Sequence, residues 1–134
     1  MSVSVLEILM ISVGVVLGLW GIIHQLIVGG IVSLFLQGTK LQLRLVVLGW
    51  VGYGAFISFV GILTAVMVGM YGLNSPATRT VLFITVGAMT LFTGHTLISG
   101  LKIFPKPIRI SFAIESLYIL VCGISFAIYW LKIG

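Results

Sequence analysis

The sequence predicts an all-α integral membrane protein with four transmembrane helices, arranged as two antiparallel hairpins. Of its 134 residues, 60% are hydrophobic and only 7% are charged, and its mean hydropathy is +1.34. A soluble domain carries about 25% charged residues, so a chain this apolar needs lipid as its solvent. Long uncharged stretches also alternate with short polar segments. These observations exclude a soluble enzyme, a nucleic-acid-binding module and a disordered linker.

The charged residues set the boundaries of the four helices. A bilayer core of about 30 Å is crossed by roughly 20 helical residues, and each of the four stretches reaches that length, the fourth with Glu115 as its one charged residue. The first stretch is longer than an upright crossing needs, so it is expected to tilt, to protrude, or to kink near Gly29 and Gly30. The helices are predicted over residues 6–36, 44–72, 79–101 and 109–131 of a single domain, 1–134.

The connections between the predicted helices contain residues that interrupt a membrane helix. Gly, Asn, Pro and Lys occur in the segments 37–40, 72–76 and 104–107. Proline and glycine favour turns, and a proline inside a helix removes a backbone hydrogen bond. Because the connections are short, consecutive helices are expected to pack as antiparallel neighbours in a four-helix bundle.

A faint internal repeat surrounds the two histidines. His24 begins the segment HQLIVG and His95 begins HTLISG, so the two share the pattern HxLIxG. A duplicated hairpin would give parallel halves related by an axis along the membrane normal, and both histidines would then lie at a similar depth. The alternative is a chance match among abundant residue types.

The distribution of basic residues predicts the orientation in the membrane. Short cytoplasmic loops are enriched in Lys and Arg. The two predicted hairpin tips carry most of the basic residues, whereas the opposite side has Arg79 and Lys132 together with Glu7. Both termini are therefore expected outside and both tips in the cytoplasm, in the cell (inner) membrane of a prokaryote. The basic residues of the tips are Lys40, Arg44, Lys102, Lys106 and Arg109.

Small residues recur at helical spacing in the predicted spans. Small side chains let membrane helices approach closely, which favours their association. We expect these faces to pack the bundle itself, and the alternative is a contact with another membrane subunit or a second copy of the chain. The helix-packing residues are Gly14, Gly18, Gly61, Ala65, Gly69, Gly123 and Ala127.

Ionisable residues inside a membrane span are costly, and each one suggests a function. Glu115 lies about 9 Å inside the predicted cytoplasmic boundary and His95 about 10 Å inside it, from the 1.5 Å rise per residue. A histidine and a glutamate at one depth could share a proton along a proton or ion path. The alternative is that Glu115 faces a basic side chain of the nearby loop and fixes the second hairpin.

The two histidines also suggest a cofactor. Imidazoles from facing helices can bind haem iron or the magnesium of a chlorin, so His24 and His95 are candidate axial ligands. The alternative is that each histidine forms a hydrogen bond with a neighbouring helix. The lone cysteine, Cys122, excludes an internal disulfide and a cysteine-based metal site. No motif for catalysis or nucleotide binding occurs, so enzymatic activity is not expected.

Three functions remain open. The first is a noncatalytic accessory or assembly subunit of a larger membrane complex, because the short loops leave only helix faces and lipid-exposed surface for partners. The second is a haem- or chlorin-binding subunit that uses His24 and His95. The third is a small oligomeric proton-coupled carrier or channel that uses Glu115 and His95.

Overall fold

A computed structural model describes residues 4–33, 38–98 and 106–133, without the side chains of residues 31 and 130–133. These ranges contain helices and no strand, which confirms the all-α class. Four of the helices are long and apolar enough to cross a membrane, which supports an integral membrane protein. Lys102, Gly134 and part of the predicted third helix, residues 99–101, lie outside the described residues. The helices are α1 (Val5–Leu26), α2 (Val28–Ser33), α3 (Lys40–Tyr71), α4 (Pro76–Ile98) and α5 (Lys106–Ile133).

The first predicted span, 6–36, is divided into two helices in the structure. The break falls at Ile27, whose amide donates to the carbonyl of Ile23 at 3.2 Å. The amide of Gly30 then donates to the carbonyl of Ile27, three residues earlier, whereas an α-helix pairs each amide with the carbonyl four residues earlier. The long first span is therefore interrupted, and the break lies just before the two glycines where a kink was one of the expected alternatives. Residues 34–36 of that span are outside the described part of the chain.

The other three spanning helices begin before the charged residues used to place them. At the start of α3, the hydroxyl of Thr39 accepts a hydrogen bond from the Gln42 amide, and the Gln42 side chain accepts one from the Thr39 amide. This reciprocal cap satisfies two backbone donors and starts the helix at Lys40. Helix α4 begins with Pro76, whose fixed φ suits a first turn, and α5 begins at Lys106. Long basic side chains can extend towards the headgroups, so a charge does not mark a helix end.

The interior of the bundle is more polar than its outer surface. Large apolar side chains such as Leu91 and Met70 are more than two-thirds exposed, as expected for a surface that contacts lipid. Hydroxyl and ionisable side chains are buried between the helices instead, where they can form hydrogen bonds with one another. The buried polar residues are His24, Ser58, Thr64, Thr78, Thr85, Thr93, Thr96, Ser111, Glu115 and Ser125.

Helices α1 and α3 approach each other through small residues. A Cβ atom built on Gly14 would lie 2.8 Å from the carbonyl oxygen of Gly61 and 3.1 Å from the backbone nitrogen of Ala65. A Cβ atom on Gly61 would lie 2.5 Å from the carbonyl oxygen of Gly14 and 2.8 Å from the Cα of Gly18. No side chain larger than hydrogen fits at Gly61 without backbone movement, so these four residues pack α1 against α3.

The other predicted packing residues lie on more open surface. A Cβ atom on Gly69 would contact only the end of the Ile11 side chain, at 3.9 Å, and one on Gly123 would meet nothing within 4 Å. Ala127 is exposed. Gly123 and Ala127 therefore do not bring another described helix into close contact with α5.

The spanning helices form a closed ring of contacts. Helix α1 packs against α3 and α5, while α4 packs against the same two helices. At one end of the ring, the Glu7 carboxylate accepts hydrogen bonds from the amides of Ser4 and Leu73, at 2.8 and 2.9 Å. Gly72, with φ of 65°, forms the turn before Leu73. This contact ties the start of α1 to the α3–α4 connection, and the ring encloses the polar interior.

Candidate functional site

Glu115 lies on the inward face of α5, and its side chain is completely buried. The buried residues of this helix are three or four positions apart, as the period of an α-helix requires. Glu115 therefore points into the bundle because it shares a face with the other buried residues. These are Ser111, Tyr118, Cys122 and Ser125.

Two hydroxyl groups donate hydrogen bonds to the Glu115 carboxyl group. One is the phenol of Tyr53 on α3, and the other is Thr93 on α4, whose Oγ1 lies 2.8 Å from Oε2. In the described part of the chain these are the hydrogen-bond partners of Glu115, and neither is basic. The structure thus brings Glu115 to Tyr53 and Thr93, while Lys102 of the nearby loop lies outside the described residues.

His24 occupies the adjacent position on α1 and is completely buried. Its ring stacks on that of Trp50, with centroids 3.9 Å apart, and lies 4.7 Å from the ring of Tyr53. Its Nδ1 is 3.4 Å from the hydroxyl of Ser111, which also accepts a hydrogen bond from the indole of Trp20 at 2.6 Å. Its Nε2 is buried without a hydrogen-bond partner among the described residues. His24 is therefore held firmly while one ring nitrogen stays available.

A cavity of about 240 Å³ joins the two histidines. His95 and Gly49 are exposed and lie at its mouth, while His24 and Trp50 are buried in its wall. Tyr53 also lines the cavity, so this residue connects the space to Glu115. The full lining consists of His24, Gly49, Trp50, Tyr53, Phe92, His95, Thr96 and Ile108.

A second hydroxyl cluster lies one helical turn further along α5. The phenol of Tyr118 donates to Thr85 at 3.1 Å and lies 2.7 Å from the hydroxyl of Thr64. This cluster joins α5 to α4 and α3 and contains no carboxyl or imidazole group. Its chemistry is that of hydrogen bonds between membrane helices.

Sequence reasoning identified Glu115, His24 and His95 but missed the residues around them. Tyr53, Trp50 and Phe92 resembled ordinary apolar positions, and Thr93 and Ser111 were not singled out. One signal was present, because the polar residues of α4 and α5 recur at helical spacing in otherwise apolar segments. That periodicity would have placed Thr93 and Ser111 on the inward faces. The contact of Tyr53 with Glu115 depends on the packing of α3 against α5, which no local pattern reveals.

The described residues contain no group of three or more His, Cys, Asp or Glu side chains that could hold a metal ion. Cys122 is buried in the core and separate from both histidines.

Comparisons of the chain with protein-family models, curated proteins and solved structures found no significant match. The geometry around Glu115 and the cavity is therefore the basis for assigning a function.

Proposed function

We propose that the protein is a small proton-coupled membrane carrier in which Glu115 binds and releases the coupling proton. The observation that carries this proposal is the complete burial of Glu115 beside a cavity, with the hydroxyl groups of Tyr53 and Thr93 as its hydrogen-bond partners among the described residues. A structural ion pair would place a cation against the carboxylate. The hydroxyl partners of Glu115 can instead donate to the carboxylate or accept a hydrogen bond from the protonated acid.

The surroundings of Glu115 suit reversible protonation. Burial disfavours the charged carboxylate, whereas the hydrogen bonds from Tyr53 and Thr93 stabilise it. These opposing effects reduce the free-energy difference between the two protonation states. His95 at the cavity mouth and Tyr53 in its wall provide groups through which protons could reach Glu115.

The test is a transport assay on the full chain in liposomes with an imposed pH gradient and an internal pH-sensitive dye. Organic cations, organic anions and neutral solutes are added separately. We expect one class to dissipate the gradient with the wild type and not with Glu115→Gln, because an amide cannot exchange a proton. Glu7→Gln is the matched control, since Glu7 lies at the end of the bundle, and it should behave like the wild type.

Two results would contradict the carrier proposal. The first is a wild-type protein that leaves the gradient unchanged with all three solute classes. The second is Glu115→Gln with transport equal to that of the wild type.

The second candidate function is haem or chlorin binding, which is supported by the presence of both histidines in one cavity. His24 also has the arrangement of an axial ligand, with Nδ1 near a hydroxyl and Nε2 unpaired. The cavity of about 240 Å³ is smaller than the pockets of about 300–1,000 Å³ that hold drug-sized ligands. A macrocycle would therefore have to extend through the mouth, between the helices and the lipid.

The absorption spectrum of protein gently extracted from its native membrane tests this candidate. A bound haem is expected to give a Soret band that His24→Ala or His95→Ala abolishes or shifts, because each would supply one axial nitrogen. A colourless wild-type preparation would exclude a bound tetrapyrrole.

The accessory-subunit function now has less support than the carrier. It depended most on the small-residue face of Gly61, Ala65 and Gly69, and the first two of these pack against α1. Leucine at Gly61 would consequently disturb the bundle before it disturbed any partner. Exposed apolar surfaces on all four spanning helices remain as places for another subunit or a second copy. The two-hairpin repeat and the orientation with both termini outside remain proposals that rest on the sequence pattern.

A further inference from the structure

We infer that the cavity between His24 and His95 binds a small hydrophobic amine in its protonated form, with the nitrogen near His24 and Tyr53. This inference rests on the proposed function, because it names the substrate class that would exchange with the proton of Glu115. Three features support it: the aromatic side chains in the cavity wall, the unpaired Nε2 of His24, and the position of the Glu115 carboxyl group beside Tyr53.

Three of the eight residues that line the cavity are Trp50, Tyr53 and Phe92. The ring of Tyr53 lies 5.1 Å from that of Phe92, and Trp50 completes the wall beside His24. The faces of such rings carry negative electrostatic potential and attract cations, most strongly in a site that excludes water. Among the described residues, the lining contains no Lys or Arg that would repel a cation.

The wall also contains one polar atom without a partner. The Trp50 indole donates to the carbonyl of His24, the Thr96 hydroxyl donates to that of Phe92, and Tyr53 donates to Glu115. In contrast, Nε2 of His24 is buried and unpaired among the described residues. In the tautomer that donates from Nδ1 to the Ser111 hydroxyl, Nε2 carries a lone pair, and an N–H group of a ligand would satisfy it.

Glu115 supplies the charge that matches such a ligand. It lies directly behind Tyr53, so an ammonium group in the cavity would be close to the carboxyl group. When the ammonium ion enters, the protonated Glu115 loses its proton to water and becomes a carboxylate. When the ammonium ion leaves, the carboxylate takes up a proton again. The site is neutral in both states, which avoids an unpaired charge inside the membrane.

The size of the cavity limits the ligand. Its volume of about 240 Å³ lies below the range of about 300–1,000 Å³ for drug-sized molecules. A single ring with a short amine arm is the appropriate probe, and we choose benzylammonium. Benzyl alcohol has a similar shape without the charge and serves as the matched control ligand.

The experiment is isothermal titration calorimetry of the full chain in detergent micelles. We expect benzylammonium to bind and benzyl alcohol to bind at least about tenfold more weakly, because it lacks the charge. His24→Phe keeps an aromatic ring beside Trp50 and removes Nε2, so it should weaken benzylammonium binding about tenfold or more. Phe92→Leu removes one aromatic wall and should weaken it about three- to tenfold.

Phe83→Leu is the matched control for Phe92→Leu. Phe83 is on the same helix and 71% exposed, away from the cavity, so its replacement should leave binding unchanged. Tryptophan fluorescence and circular dichroism establish that each variant is folded. If His24→Phe does not fold, Phe92→Leu and the benzyl alcohol comparison still decide the result. Equal binding of the two ligands, no binding of benzylammonium, or unchanged binding by folded Phe92→Leu would overturn the inference.

The failure of this inference can be distinguished from the failure of the carrier proposal. Gradient dissipation by an anion or a neutral solute, without binding of benzylammonium, would reject the amine and retain the carrier. Binding of benzylammonium that depends on Phe92, without any gradient dissipation, would retain the amine site and reject proton-coupled transport.

Discussion

Gly61→Ala is expected to destabilise the helical bundle by about 2–3 kcal/mol or more, because it forces backbone atoms apart at an already close contact. The new Cβ would lie 2.5 Å from the carbonyl oxygen of Gly14 and 2.8 Å from the Cα of Gly18. Both neighbours are backbone atoms, so no side-chain rotation can relieve the overlap. Helices α1 and α3 would have to separate. The free energy of unfolding in mixed micelles, followed by tryptophan fluorescence, measures the effect.

Gly87→Ala is the matched control for this variant. Gly87 lies in the interior of α4, and a Cβ atom there would meet nothing within 4 Å. Alanine also has a higher helix propensity than glycine, so this replacement should be neutral or slightly stabilising. If the free energy of unfolding is the same for Gly61→Ala and Gly87→Ala, α1 and α3 do not pack through Gly61.

Glu115→Ala is expected to destabilise the protein by about 2–5 kcal/mol, whereas Glu115→Gln should change the free energy of unfolding by about 1 kcal/mol or less. Alanine leaves an empty space and removes the acceptor of the Tyr53 and Thr93 hydroxyl groups. Glutamine fills the same space, and its amide can form hydrogen bonds with both hydroxyls after they rotate. Both variants should lose proton-coupled transport.

The comparison separates a structural role from proton transfer. A folded Glu115→Gln protein without transport supports proton exchange at Glu115. If Glu115→Ala is as stable as the wild type, the carboxyl group does not organise α3, α4 and α5. The same unfolding assay measures both variants.

The number of spanning helices could be predicted from the sequence because it depends on hydrophobicity summed over long stretches. That sum is insensitive to the packing partner of any residue. Helix ends were less accurate, because charged residues were used as boundaries while capping groups such as Thr39 and Gln42 start the helix earlier. The break at Ile27 lies two residues before Gly29, close to where the length of the first span allowed a kink.

The candidate site was only partly predictable. Glu115 and the two histidines could be identified because an ionisable residue in an apolar helix is unusual. Their partners were not, because tyrosine, tryptophan and threonine are common in membrane helices. The approach of Tyr53 to Glu115 depends on how α3 and α5 pack across the bundle.

The sequence by itself therefore determined that this protein resides in lipid, how many spanning helices it has and which rare ionisable groups lie inside them. These properties follow from the composition and period of each segment, and no contact between segments is needed to read them. Only the tertiary structure decided that Gly61 packs inside the bundle, that Glu115 binds hydroxyl groups, and that His24 and His95 share one cavity. These properties depend on the relative rotation and position of separate helices, which hydrophobicity does not determine.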